Sequence, residues 1–242
     1  MKYIPSILLF FFLLSFSSCS TKTVESELPE PNPPTPVIPE EPTPEKEKML
    51  WFDAEANFER FSKKENITYY LDLAKSTGFN KIVVDVRPVQ GDALFKSSYL
   101  TPLTDLAGTH IERDWNYLQF FIDEAHKREL KVTVSATIFT AGLPSSKNGM
   151  AYRDDTWDGK TCLEYTKDQG LIDIKDDKTK VSAFLNPVLP EVQDFCLNFI
   201  KELVTNYNFD GFALDYCRYP GDESDFSEAT TVSYTHLRAH ET

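Results

Sequence analysis

Charged residues close three short apolar segments of this 242-residue chain, where they could do acid–base chemistry. Asp53, Arg87 and Asp215 each end or follow a run of apolar residues. A charge at the end of a buried segment is costly unless it is paired or used. A carboxylate in such a place can act as a general acid, a general base or a nucleophile. We therefore take Asp215 as the first candidate for a functional carboxylate.

The second of these segments carries two charges at a spacing of two residues. Asp85 and Arg87 would face the same side of a strand, since side chains alternate along strands. Two roles stay open for this pair, contact with a substrate or a buried ion pair that braces the sheet. Asp92 lies in the loop that follows, and Glu55 lies just after Asp53.

Apolar periodicity predicts alternating strands and helices around these charges. The predicted order is β-α-β-α-β, a long connection over residues 140–185, and then α-β. Asp114 is the predicted N-cap of the second helix, and Pro190 opens the third. The predicted strands cover residues 49–52, 81–87, 131–139 and 212–216, and the helices cover residues 66–76 and 115–129 and begin again at 190.

Alternation of this kind predicts parallel strands whose carboxyl ends meet at one mouth. An open doubly wound sheet and a (β/α)8 barrel both fit the order. No G-x-G-x-x-G sequence follows the first or second strand, which argues against a dinucleotide-binding domain. The mouth would bring the charged strand ends together in either architecture.

Composition excludes several function classes. The chain has 25 Lys and Arg against 38 Asp and Glu, a formal charge of −13, so a nucleic-acid partner is not expected. With 41% hydrophobic residues it has enough apolar material for a packed core. We expect no metal and no cofactor, because the chain has no CxxC motif and its one closely spaced His pair lies near the C-terminus.

The first 47 residues predict an exported and anchored protein. Residues 1–19 combine a basic start, an apolar run too short to span a bilayer and a lipobox-like Cys19. Residues 20–47 form a linker rich in Pro and Glu, which favours extended polyproline II. The expected location is the cell envelope, with membrane contact only through a lipid on Cys19.

Residues 232–242 share no pattern with the preceding sequence. The segment VSYTHLRAHET resembles the translation of a sequencing adapter. We therefore expect a non-native tail after Thr231 and a natural gene that continues beyond it. The pair His236 and His240 belongs to this tail and is not taken as a metal site.

Several blocks follow one another in an order that resembles one family. They are VRP at 86–88, GDALFKS at 91–97, EAHKR at 124–128, LNP at 185–187, PEV at 190–192, YNFDG at 207–211 and LDYCRYP at 214–220. From about Lys48 to Pro220 the chain resembles the glycosyl hydrolase-like 10 family. This resemblance implies an α/β fold, a TIM-type (β/α)8 barrel of which residues 48–231 supply about the first four β/α units.

The resemblance also implies a function for the mouth. Asp215 would be the catalytic carboxylate of a glycosidase that acts on a bacterial or environmental polysaccharide, such as peptidoglycan glycan strands. The positions implied to bind the glycan are Arg87, Asp92, Asp53, Arg218 and Tyr219. The second carboxyl group would be Asp53, Asp92 or a residue of a later strand. The fragment alone would be inactive, and the alternative function is a non-catalytic glycan-binding envelope lipoprotein.

Some residues of the matched region have more than one interpretation. Many family members have His and Trp in the third strand, where this chain has Thr133 and Ser135. Tyr152 and Trp157 could supply the missing sugar stacking or could simply pack in the long connection. His126 is expected to cap or pack. Cys196 is expected to pack, and Cys217 pairs with Cys162 or stays unpaired.

Overall fold

A computed structural model of the protein describes residues 46–240. The predicted signal segment, Cys19 and almost all of the predicted linker lie outside the described residues. Within 46–240, none of the helices combines the length and apolar character needed to cross a membrane.

The core of the fold is a sheet of four parallel strands. In sheet order these are β1 (Met49–Phe52), β2 (Lys81–Arg87), β5 (Lys131–Thr137) and β8 (Gly211–Asp215). β-branched residues such as Val84 and Val134 suit these strands, since they pack well on a pleated surface. All four predicted strands are confirmed, with ends that differ by at most two residues.

Three helices connect consecutive strands of the sheet and cover one of its faces. They are α1 (Lys64–Ser76), α2 (Tyr117–His126) and α4 (Pro190–Asn206). Leu71 of α1, Phe121 of α2 and Phe199 of α4 are fully buried in one core. On the sheet, the side chains in this core come from alternate positions such as Val84 and Val134. The predicted partial barrel of about four β/α units is therefore the fold observed.

The opposite face of the sheet is the inner face of the partial barrel. Trp51 pairs with Val83, and Asp85 pairs with Ser135, in the register of the sheet. Since alternate side chains point to opposite faces, these side chains lie away from the helices. The inner face therefore carries polar groups toward the carboxyl ends of the strands.

The long connection between β5 and α4 is more structured than the sequence indicated. It contains the short helix α3 (Met150–Arg153) and the hairpin β6 (Leu163–Thr166) and β7 (Gly170–Asp173). The turn of this hairpin is Thr166 to Gly170, where Gly170 has a positive φ of 73°. A second hairpin, β3 (Asp105–Leu106) and β4 (Thr109–His110), lies between β2 and α2.

Helix α2 begins two residues later than predicted. Its N-cap is Asn116, whose side chain accepts a hydrogen bond from the Gln119 N–H at 3.2 Å. The predicted cap, Asp114, is therefore wrong. The last described element is α5 (Glu228–His240), which spans the predicted boundary at Val232. That boundary stays a prediction.

Candidate active site

A cleft of about 250 Å³ opens at the carboxyl ends of the four parallel strands. Its lining residues belong to the ends of β1, β2, β5 and β8 or to the loops that follow β1, β2 and β8. They are Trp51, Asp53, Glu55, Asp85, Arg87, Pro88, Val89, Thr137, Asp215 and Tyr216. The sheet therefore brings together the predicted residues Asp53, Arg87 and Asp215.

Asp215 is the last residue of β8 and lies on the inner face of the sheet. Its register partner is Thr137, which is two positions beyond Ser135 and so points to the same side. The carboxylate accepts a hydrogen bond from the Tyr216 N–H at 2.7 Å. Tyr216 has a φ of +45°, a conformation that residues with side chains adopt rarely. The turn thus leaves the partly exposed Asp215 carboxylate in the cleft.

Asp85 is a carboxylate of the cleft that sequence reasoning left between two roles. Burial raises the pKa of Asp85 to about 6. Hydrogen bonds from the Trp51 indole, the Ser135 hydroxyl and the Ala54 N–H favour the charged form and so lower the pKa, but burial has the larger effect. It forms no ion pair with Arg87. Of the two roles left open for this pair, the ion pair that braces the sheet is therefore not formed.

Asp53 and Glu55 complete the acidic wall of the cleft after β1. The Asp53 carboxylate accepts the Ala56 N–H at 2.6 Å and so fixes the turn that leaves the strand. Glu55 accepts the Val89 N–H at 3.2 Å. Burial raises the pKa of Glu55, and the nearby charge of Asp53 acts in the same direction. Both side chains are exposed enough to meet a ligand.

The guanidinium of Arg87 is not available to a ligand, contrary to the sequence prediction. A register shift between Asp85 and Arg87 makes Arg87 pair with Ala136, which faces the helices. This β-bulge cancels the period-two argument, because one extra residue turns the side chain to the other face. The buried guanidinium donates to the carbonyl oxygens of Thr137 and Thr140 and lies over the Phe199 ring.

Asp92 lies outside the cleft and is almost fully buried. Both of its carboxylate oxygens accept hydrogen bonds from Arg153 at 2.8 Å, and Gln90 donates a third at 3.1 Å. Because one Arg153 nitrogen, Nη2, donates to both oxygens, this charge-assisted contact braces the loop after β2 against α3. The prediction of a glycan-binding Asp92 is therefore not supported by its position.

Arg218 and Tyr219 also lie outside the lining of the cleft. Arg218 is exposed and donates to the carbonyl oxygens of Tyr219 and Pro220, while its guanidinium lies over the Tyr216 ring. Tyr219 packs on a small core of Cys162, Ile174 and Phe184. Burial raises the pKa of Tyr219. The two residues support the rim and do not line the cleft itself.

Of the two aromatic residues considered for sugar stacking, Tyr152 packs within the long connection and Trp157 packs against α4. Tyr152 donates its hydroxyl to the Lys175 carbonyl oxygen at 2.6 Å, and the Trp157 ring meets Phe195 at 4.7 Å. Packing is therefore the correct interpretation of both. The aromatic residues that line the cleft are Trp51 and Tyr216, which sequence reasoning did not select. Trp51 lies two residues before Asp53, and Tyr216 directly follows Asp215. This closeness in sequence to the candidate carboxylates is the signal that could have identified them.

Other predicted residues have structural roles. His126 pairs with Asp210 at 2.9 Å, near the amino end of β8 and away from the cleft. Cys196 is buried, as predicted, and Cys162, Cys196 and Cys217 are all free thiols, so the Cys162–Cys217 pairing is not present. Among the described side chains, those of residues 46–236, no group of three or more His, Cys, Asp or Glu is arranged to hold a metal ion.

Comparison with known proteins places the chain in a family. The family model described as glycosyl hydrolase-like 10 matches residues 47–240. An S-layer-related protein of Niallia circulans is 33% identical over 199 residues, which are 78% of this chain and 12% of that protein. Glycosyl hydrolase DigH of Escherichia coli K12 is 29% identical over 163 residues, which are 65% of this chain and 36% of that protein.

Among solved structures, the exo-β-N-acetylglucosaminidase of glycoside hydrolase family 20 from Vibrio harveyi has the same fold. The two superpose with a TM-score of 0.51 at 11% identity, over 79% of this chain and 30% of that chain. At this identity the likeness concerns the fold alone. The chain thus spans about an eighth to a third of the lengths of the relatives and the structure it matches. On the family match over residues 47–240, this chain belongs to the glycosyl hydrolase-like 10 family.

Proposed function

We propose that the cleft is part of the active site of a glycosidase that cleaves a polysaccharide by carboxylate acid–base catalysis. The observation that carries this proposal is that Asp215, Asp53 and Glu55 line one cleft at the carboxyl ends of parallel strands. Ligands bind at this end of barrel folds. The names of the family and of the DigH relative support the reaction class.

Glycoside hydrolysis normally needs two carboxyl groups about 5 to 10 Å apart on either side of the scissile bond. Asp215 is the proposed catalytic carboxylate. Glu55 fits the proton donor among the described residues, because its raised pKa favours the protonated form that an acid must have. A carboxylate from a later strand of a complete barrel is the competing candidate for this second role.

The proposed substrate is the glycan strand of peptidoglycan. The family 20 structure was solved with N-acetylglucosamine, a sugar that also occurs in these strands. The proposal of export supports the same substrate, since Cys19 would carry a lipid and hold the protein at the cell envelope. A Cys19→Ala variant that stays in the membrane fraction would contradict the anchor.

The experiment that tests the proposed function measures new reducing ends released from peptide-free glycan strands. It uses the longer protein that we propose the natural gene encodes beyond Thr231. Release by that protein, and loss of release in Asp215→Asn, is the expected result. Glycan binding without any release would instead favour the alternative, a non-catalytic glycan-binding lipoprotein. A protein that neither binds nor cleaves the glycan strands would contradict both the proposed enzyme and the glycan-binding alternative.

A further inference from the structure

The three tryptophans of the chain differ in what covers their rings. Trp115 stacks on Tyr117 at 6.1 Å and carries the Lys64 ammonium over its ring. Trp157 packs against Phe195. Trp51 is half exposed and, within residues 46–240, has neither an aromatic nor a cationic partner on its ring. One indole face in the cleft is therefore open to a ligand.

The polar edge of this open ring is anchored. The indole N–H of Trp51 is the only hydrogen-bond donor of that side chain, and it donates to the Asp85 carboxylate. Asp85 lies on the neighbouring strand and is itself held by the Ser135 hydroxyl and the Ala54 N–H. Because a carboxylate makes a strong charge-assisted acceptor, it fixes the orientation of the ring against the sheet.

Exposure alone does not single out Trp51. Met49 lies two residues earlier on the same face of β1 and is 54% exposed, against 50% for Trp51. Met49, however, is not among the residues that line the cleft. What distinguishes Trp51 is that it lines the same cleft as Asp215 and has an anchored edge, so the open inner face of the sheet does not by itself explain it.

We propose that Trp51, oriented by Asp85, is a stacking platform for one sugar ring of the substrate. The ligand it fits is a pyranose with equatorial substituents, whose C–H groups form an apolar face, as in N-acetylglucosamine. An indole offers a flat apolar face of the same size with a polar edge. This inference rests on the proposed function, and it assigns Trp51 to binding and Asp85 to positioning.

The position of the platform also predicts which step of the reaction it affects. Trp51 lines the same cleft as Asp215 and Glu55, so the proposed platform would hold a sugar ring in that cleft. The stacking contact is made in the bound ground state and kept in the transition state, so it stabilises both to a similar extent. Losing the platform should therefore weaken binding more than it slows the bound substrate.

The test measures affinity for peptide-free peptidoglycan glycan strands by calorimetry, with tryptophan fluorescence as a second readout. It uses the full-length gene product and its variants. Trp51→Ala should weaken binding about tenfold or more, as expected for an aromatic anchor, and should remove the fluorescence change. Trp51→Phe keeps a ring without the N–H and should fall between this variant and the wild type. Trp157→Ala and Met49→Ala are the matched controls, and both should bind like the wild type.

The role of Asp85 has its own pair of variants. Asp85→Asn keeps an acceptor for the indole and should retain most of the affinity, whereas Asp85→Leu removes the acceptor and should lose it. Circular dichroism checks that each variant is folded. If Trp51→Ala does not fold, the affinity of Trp51→Phe is the test of the platform.

Two outcomes overturn the inference. Wild-type affinity in Trp51→Ala overturns it and leaves the proposed function standing, provided that Asp215→Asn still loses turnover. A wild-type protein with no affinity for the strands overturns both. Loss of binding in Trp51→Ala from a protein without turnover supports the platform and contradicts the proposed enzyme.

Discussion

At the scale of single residues, the carboxylates of the cleft have different environments. Asp85 is enclosed by the Trp51 indole and the Ser135 hydroxyl, whereas Asp215 is held by one backbone N–H and stays partly exposed. Groups of the same type can thus serve separate roles, because burial and hydrogen bonding decide which of them a ligand can reach. We assign positioning to Asp85 and chemistry to Asp215.

The raised pKa of Asp85 predicts a pH dependence of stability. Its pKa is about 6 in the folded protein and about 3.9 in an unfolded chain, so the folded state binds a proton that the unfolded state lacks between these values. Stability from this group is present at low pH and is lost as the pH rises toward 6 and above. The melting temperature of Asp85→Asn minus that of the wild type should therefore increase from pH 4 to pH 7.

The control for this measurement is Asp222→Asn, an exposed aspartate in the loop after β8. Its melting temperature should follow that of the wild type at every pH. A difference between Asp85→Asn and the wild type that does not change with pH would contradict the raised pKa of Asp85.

Sequence reasoning identified Asp53 and Asp215 correctly as residues of one mouth. The rule behind this success is simple, since parallel strands deliver their carboxyl ends to one edge. Arg87 was misassigned because a β-bulge is invisible to a period-two pattern. The role of Asp85 could not be predicted either, since its partner Trp51 lies 34 positions earlier in the chain and meets it only through the pairing of β1 with β2.

At the scale of elements, apolar stripes located the helices well but not their first residues. Asp114 and Asn116 are both good N-caps by type, so the sequence could not choose between them. The structure chooses Asn116, which also donates a hydrogen bond to the Tyr207 hydroxyl at 2.9 Å. That second contact joins the start of α2 to the end of α4 and depends on tertiary structure.

This difference predicts unequal effects of two alanine substitutions. Asn116→Ala should lower the free energy of unfolding by about 1 kcal/mol or more, because α2 loses its cap. Asp114→Ala should change it by less than about 0.5 kcal/mol, as for most surface positions. Urea unfolding of both variants measures these values, and a larger loss in Asp114→Ala would show that the helix begins where the sequence predicted.

At the scale of the whole molecule, four β/α units supply only part of the rim of an eight-stranded barrel. The order and direction of the strands were predictable, because alternating strand and helix patterns leave few topologies. The hairpin β6–β7 was not, since its strands are only four residues long and its apolar pattern is weak.

The incomplete rim of the barrel predicts that the 242-residue chain lacks glycosidase activity on its own. We expect the 242-residue chain to release no reducing ends from peptidoglycan glycan strands, whereas the longer protein that we propose the natural gene encodes should release them. The physical reason is that a glycan must be held from several strand ends at once for the reacting atoms to align. An active 242-residue chain would show that the described cleft is sufficient.

The role of Asp215 as the catalytic carboxylate is tested by comparing affinity and turnover between the full-length protein and its Asp215→Asn variant. Asparagine keeps the size of the side chain but cannot serve as a carboxylate. We expect that kcat on glycan strands falls by about a thousandfold or more while the dissociation constant changes by less than about threefold. Asp222→Asn should change neither. Turnover in Asp215→Asn equal to that of the wild type would contradict the assignment of Asp215 as the catalytic carboxylate.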